Sequence, residues 1–185
     1  MTRELKLLYP LDEFYARAGL IVPRVSQVRP EVVPEPYRRL LVHDHDMTPT
    51  QEAYAGERIH LRVIGRRQDG DFFSRLVVLT TDGTERPMEF GAIVIHLEYF
   101  PPAAREAVLA NRTPLGTILA DHQIRHESRP QAFLQVHSDP LIRGALNLAG
   151  LDDLYGRRNI LVDSSERLLA DVVEILPVLA DREAG

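Results

Sequence analysis

Apolar and polar positions change period several times along the chain, and each change marks an element. Leu11 to Ala18 has helical spacing and stops at Gly19. Pro23, Pro30, Pro34 and Pro36 then predict an extended stretch, followed by a helical turn over Pro36 to Val42. Thr48-Pro49-Thr50-Gln51 reads as a helix start with Thr48 as N-cap, Pro49 at the first helical position and Gln51 completing a capping box. That helix runs to about Ala55, before Gly56. Arg58 to Arg67 alternates with Ile59, Leu61 and Val63 on one face, which predicts a strand. A turn at Gln68-Asp69-Gly70-Asp71 leads into a second strand, Phe72 to Thr80. Thr81-Asp82-Gly83-Thr84 is a hairpin signal. The third strand, Met88 to Leu97, is apolar on both faces near Ile93-Val94-Ile95, as expected of a central strand.

Pro101-Pro102 opens a helix predicted through about Ala110 and Thr113-Pro114 another through about Ala120, then come a strand over Gln131 to Val136 and a helix over Leu141 to Leu148. Arg158 to Val162 and Leu168 to Leu176 pair around Asp163-Ser164-Ser165-Glu166, and Pro177 ends the sheet. Hairpins dominate and the helices cluster between them. The expectation is an α+β fold: an antiparallel sheet of five to seven strands with helices mainly on one side. Residues 1–35 read as an extended lead-in, 36–178 as one domain and 179–185 as a tail.

Composition narrows the function classes. With 185 residues, 44% of them hydrophobic, the chain can build one packed core. A net charge of -5 argues against a general nucleic-acid binder, which needs a basic surface. There is no cysteine, so disulfides, thiolate catalysis and cysteine-based metal sites are excluded. Lys6 is the only lysine and stands near the terminus, which speaks against a Schiff-base lysine. No apolar run is long enough for a membrane helix, and no secretory signal opens the chain. A cytoplasmic protein is expected.

Four segments, in order, resemble the chorismate lyase family. They are Leu40-Leu41-Val42-His43-Asp44-His45-Asp46-Met47-Thr48; Ser74-Arg75-Leu76-Val77-Val78-Leu79 with Asp82-Gly83 and Phe90-Gly91-Ala92; Thr113-Pro114-Leu115-Gly116; and Tyr155-Gly156-Arg157-Arg158 with Glu174-Ile175-Leu176-Pro177. Effector-binding domains of GntR-type repressors share this fold, and no helix-turn-helix stands before the domain here. The resemblance implies a cofactor-independent carbon–oxygen lyase that converts chorismate to 4-hydroxybenzoate and pyruvate. It implies that Arg75 and Glu174 are catalytic, and that Met47, Thr48, Gly91, Leu115 and Gly116 bind the substrate. The partner is then a small anion, with neither nucleic acid, membrane nor metal involved. The alternatives are a non-catalytic binder of a small aromatic or sugar acid, and a secondary-metabolism enzyme with different chemistry in the same pocket.

Two positions depart from the family pattern. Counting back from Pro177 puts Val173 where the family has its glutamate, and alternation then turns Glu174 to the opposite face unless a bulge intervenes, leaving Asp171 as the substitute. Leu76 stands where the family carries an acid.

The residues themselves single out Arg75, which shares a strand face with Phe73 and Val77. A buried arginine needs an anionic partner, either a ligand carboxylate or Glu89 on the return strand. Gly91 serves either close ligand approach or tight sheet packing, and Leu115 either the site or the core. Leu115 and Gly116 open a helix, whose free N–H groups favour an anion. Met47 either covers the pocket or staples the helix start. His43-Asp44-His45-Asp46 and the pair His122 and His126 match no established metal spacing. His96 is a candidate neutral base.

Overall fold

The computed structural model describes residues 6–179. Seven strands form one antiparallel sheet in the order β1-β5-β6-β7-β4-β3-β2. They are β1 (Val25–Val28), β2 (Ile59–Asp69), β3 (Phe72–Thr81), β4 (Pro87–His96), β5 (Glu127–His137), β6 (Asp153–Val162) and β7 (Leu168–Ile175). Six α-helices accompany them: α1 (Leu11–Ala18), α2 (Tyr37–Leu41), α3 (Met47–Ala55), α4 (Pro102–Ala110), α5 (Leu115–Asp121) and α6 (Pro140–Leu146). The α+β class and the antiparallel sheet agree with the reading of the sequence. No helix among the described residues is long and apolar enough to cross a membrane.

Alternation along the strands gives the sheet two buried faces. One carries Leu76, Val78, Phe90, Ala92, Val173 and Ile175, covered by Leu11 and Tyr15 of α1 and by Ile142, Ala145 and Leu146 of α6. The other carries Phe73, Ile93, Leu161 and Val172 against α4 and α5, and continues under α2 and α3. The helices therefore divide four to two among the described residues.

The lead-in needs correction. Leu11 and Tyr15 are fully buried, and Val25–Val28 pairs with Val136 to Phe133 of β5 as an edge strand. The prolines that suggested an extended lead-in instead bound short ordered pieces, including a 3-10 turn at Pro30–Val32. An edge position tolerates prolines because one side of the strand makes no ladder bonds. Of the tail, residues 180–185 lie outside the described residues.

Two strands are longer than the pattern suggested. β5 passes through Pro130, where the register shifts between Pro130 and Ala132, and β6 begins at Asp153 rather than Arg158. The predicted capping box at α3 does not form. The N-cap is Asp46, in extended conformation, and its carboxylate is engaged elsewhere, as is the Gln51 amide.

Candidate functional site

Strands β3, β4, β7 and β6 present consecutive rows of side chains to α3 and α5. Arg75 is opposite Ile93, which is opposite Val172, which is opposite Asn159. The next row is Val77, Gly91, Glu174 and Arg157. Leu79 and Glu89 begin a third. Above these rows lies a cavity of about 70 Å³, room for several waters. Arg75, Gly91 and Glu174 line it from the sheet, and Met47, Leu115 and Gly116 from the helices. Five segments distant in sequence thus meet at one place. Thr48 does not line the cavity. It is buried behind Gly116, where a Cβ would stand 3.3 Å from the threonine Oγ1.

Arg75 is 2% exposed. Its Nη2 donates to the Thr113 carbonyl at 3.2 Å and its Nη1 to Asn111 Oδ1 at 3.5 Å. Both partners sit in the α4–α5 connection, where Asn111 takes the left-handed conformation that ends α4. Nε has no partner. No carboxylate among the described residues pairs with this guanidinium, and burial lowers its pKa to about 10. The alternative partner, Glu89, is engaged by α3 instead: Gln51 Nε2 donates to Glu89 Oε2 at 2.6 Å.

Glu174 lines the cavity without any bulge around it, since its register with Gly91 and Arg157 is continuous. The expectation that alternation turns it away is corrected. The offset from Pro177 was the misleading measure, because β7 ends at Ile175 and the chain beyond it is no longer strand. Val173 belongs to the opposite core. Asp171 shares that opposite face and pairs with Arg158, so it does not substitute for Glu174.

Arg157 is the site residue that the sequence pattern did not reveal. It is fully buried. Its Nε donates to Glu174 Oε2 at 2.5 Å, and its Nη groups donate to the carbonyls of Leu41, His43 and His45. One side chain thus neutralises the cavity acid and fastens the segment that leads to Met47. Tight strand contact accompanies it: a Cβ at Gly156 would meet the Glu174 carbonyl oxygen at 2.3 Å. At Gly91 a Cβ would stand 2.9 Å from Glu89 Oε1 and 3.0 Å from the Val173 carbonyl oxygen. Close packing of the sheet, rather than turn geometry, requires both glycines.

Glu89 and Glu174 are two buried carboxylates near a single guanidinium. Burial, and then the neighbouring Glu174 charge, push the Glu89 pKa well up. Asn159 also lines the cavity. Its Nδ2 donates to Ser128 Oγ at 2.8 Å, while its Oδ1 has no partner.

The histidines lie around the site or away from it. His126 binds the Asp46 carboxylate at 2.9 Å, which raises its pKa. His43 Nε2 donates to the Leu40 carbonyl at 2.7 Å, and its pKa is lowered by burial and then by Arg157. His96 is on the other side of β4 from Glu89, Gly91 and Ile93, packed on the rings of Phe72 and Tyr99. It does not line the cavity and is not a pocket base. No group of three or more histidine, aspartate or glutamate side chains among the described residues is placed to hold a metal.

No protein-family model and no curated protein matches the sequence. Solved structures do. PhnF from Mycobacterium smegmatis matches with a TM-score of 0.54 at 11% identity, over 92% of this chain and 94% of that one. The effector domain of the same protein matches with a TM-score of 0.53 at 13% identity, over 71% and 88%. YydK from Bacillus subtilis, described as a possible transcriptional regulator, matches at 0.50 and 7% identity over 93% and 96%. At these identities the likeness establishes a shared fold and leaves the activity to be argued from the site.

Proposed function

We propose that this chain is a receptor domain for a small carboxylate, with the cavity as its ligand site. Arg75 carries the reading. A guanidinium that is 2% exposed and has an unpartnered Nε is costly to maintain, and a bound carboxylate would supply the missing charge and hydrogen bonds. The walls suit a flat apolar body, with Met47, Val77, Ile93, Leu115 and Val172 around it. The likeness to a structure named as an effector domain supports a binding role. The α4–α5 connection aims the guanidinium, and the sheet supplies a rigid floor.

A lyase acting on chorismate is the second reading, and Glu174 is the observation in its favour. Arg75 and Glu174 sit two strands and two residues apart, roughly 12 Å between their Cα atoms from strand spacing, on one cavity. Glu174 is already ion-paired with Arg157, however, which suits a fixed counter-charge better than a proton carrier. Incubation with chorismate, followed by chromatography for 4-hydroxybenzoate and pyruvate, separates the readings. The receptor reading expects no turnover, together with thermal stabilisation by small aromatic carboxylates. Turnover that Glu174→Gln abolishes would establish the lyase.

A further inference from the structure

The cavity contains a second buried acid that the reading above leaves without a role. Glu89 is 4% exposed, lines the cavity floor beside Gly91, and accepts a hydrogen bond from Gln51 Nε2 at its Oε2. Its Oε1 is directed toward the place where a Gly91 side chain would begin. The charges facing it come from four elements. Glu174 on β7 is paired with Arg157 on β6. Asp46, at the start of α3, is matched by His126. Arg75 on β3 has no anionic partner. Gln51 on α3 is neutral. Arg157 is paired with Glu174 and Arg75 is turned to the α4–α5 connection, so no cation among the described residues forms an ion pair with Glu89. Two carboxylates that share one guanidinium retain a proton between them, and it belongs on the acid that the guanidinium does not touch. An amide that donates to one oxygen leaves the O–H on the other.

We infer that Glu89 is the second anchor of the site, a neutral carboxyl whose Oε1–H donates to the ligand from the cavity floor, so that the site selects a singly charged anion with a hydrogen-bond acceptor remote from its carboxylate. The inference rests on the ligand reading of Arg75 and adds the charge and polarity of the ligand. With His126 protonated the sum of charges is explicit: Arg75 and Arg157 contribute two positive charges, Glu174 one negative, the Asp46–His126 pair none and Glu89 none. One anionic charge completes the cavity. A second would face Glu174 with no cation available.

Three probes test this: benzoate, 4-hydroxybenzoate and terephthalate, titrated calorimetrically into the full chain. The expected order places 4-hydroxybenzoate tightest and terephthalate at least about tenfold weaker. Glu89→Gln keeps a neutral donor and is expected to hold 4-hydroxybenzoate within about threefold of the unaltered protein, in the same order. Glu89→Leu removes the donor and is expected to bind 4-hydroxybenzoate about tenfold more weakly, close to its affinity for benzoate. Thermal unfolding checks that both variants fold. Infrared difference spectra between the unaltered protein and Glu89→Gln test the proton without any ligand, and are expected to show a protonated-carboxyl band that the variant lacks. Absence of that band overturns the inference. So does a tenfold gain in affinity in Glu89→Gln, since that is the response of a site whose Glu89 was ionised, and so does preferred binding of terephthalate. If no probe binds the unaltered protein while the band is present, the ligand reading of Arg75 fails and the second anchor with it, and only the buried proton stands.

Discussion

Arg157 and Arg158 are neighbours on β6 and point to opposite faces of the sheet, and the two faces treat them differently. On the α1 side, Arg158 and Asp171 form a closed pair with two hydrogen bonds at 3.1 and 2.6 Å. Tyr9 stacks over this guanidinium and the Lys6 carbonyl takes another of its protons. Within that pair donors and acceptors match one another, although Asp12 Oδ1 and Tyr15 Oη of α1 have no hydrogen-bond partner. On the cavity side, two arginines, two glutamates, Gln51 and Asn159 are buried together and do not match. Arg75 lacks an anion, and Asn159 lacks a donor for its Oδ1. A face built only for stability has no use for such a mismatch, which lowers the stability of the free protein. A face built to receive a ligand leaves unmatched the groups that the ligand completes.

The largest effect on stability is expected where the mismatched face is held together. Arg157→Ala would strand Glu174 and release three carbonyls, at a cost of roughly 3–5 kcal/mol in chemical denaturation. Because the same side chain fastens residues 41–45, ligand binding should fall as well. Arg158→Ala sharpens the contrast. Its side chain is 12% exposed, and Asp171 loses its ion pair while the exposed Lys6 carbonyl can turn to water, so about 1–3 kcal/mol of stability should be lost, with ligand affinity unchanged. A loss of affinity in that variant equal to the one in Arg157→Ala would erase the distinction between the faces.

The smallest effect concerns the Asp46–His126 pair at the cavity rim. The hydrogen bond to Asp46 raises the His126 pKa against the opposing effect of burial. A group with a raised folded-state pKa stabilises fully at pH values below the ordinary histidine value. That contribution is lost as pH rises through the raised value. The pair is partly solvated, so the change should be below about 1 kcal/mol. Melting curves across this range should show it, and Asp46→Asn should remove it.

Much of this arrangement was legible in the sequence, and the illegible parts share a cause. Leu11–Ala18, the hairpins around Gly70 and Gly83, and the helix start after Pro114 are all decided by local chemistry: a left-handed C-cap, tight turns, and a proline that suits a helix entrance. Arg75 stood out because its flanking residues fix its face. By contrast, β1 is a strand only because β5 lies beside it, and four residues among prolines give no such sign. Asp46 outcompetes Thr48 as N-cap residue although its carboxylate is taken by His126, 80 positions away. Arg157 gave no sign of its role in the sequence, since its partners come from residues 41–45 and from β7. Glu174 was assigned the wrong face because its offset from Pro177 spans residues outside the strand. Wherever a position was set by contacts remote in sequence, the one-dimensional pattern held no record of it.

The central claim is that Arg75 is kept for a ligand and not for the fold, and Arg75→Met tests it most directly. Methionine fills similar apolar space without the charge. Thermal unfolding of the ligand-free proteins and calorimetric titration with 4-hydroxybenzoate are to be measured side by side. The melting temperature of the variant should equal or exceed that of the unaltered protein, because a buried cation without an anionic partner has been removed. Affinity should fall by about 30-fold or more, corresponding to the roughly 2–5 kcal/mol of a buried charge-assisted contact. A large drop in melting temperature with unchanged affinity would mean that Arg75 is architecture, and would contradict the account.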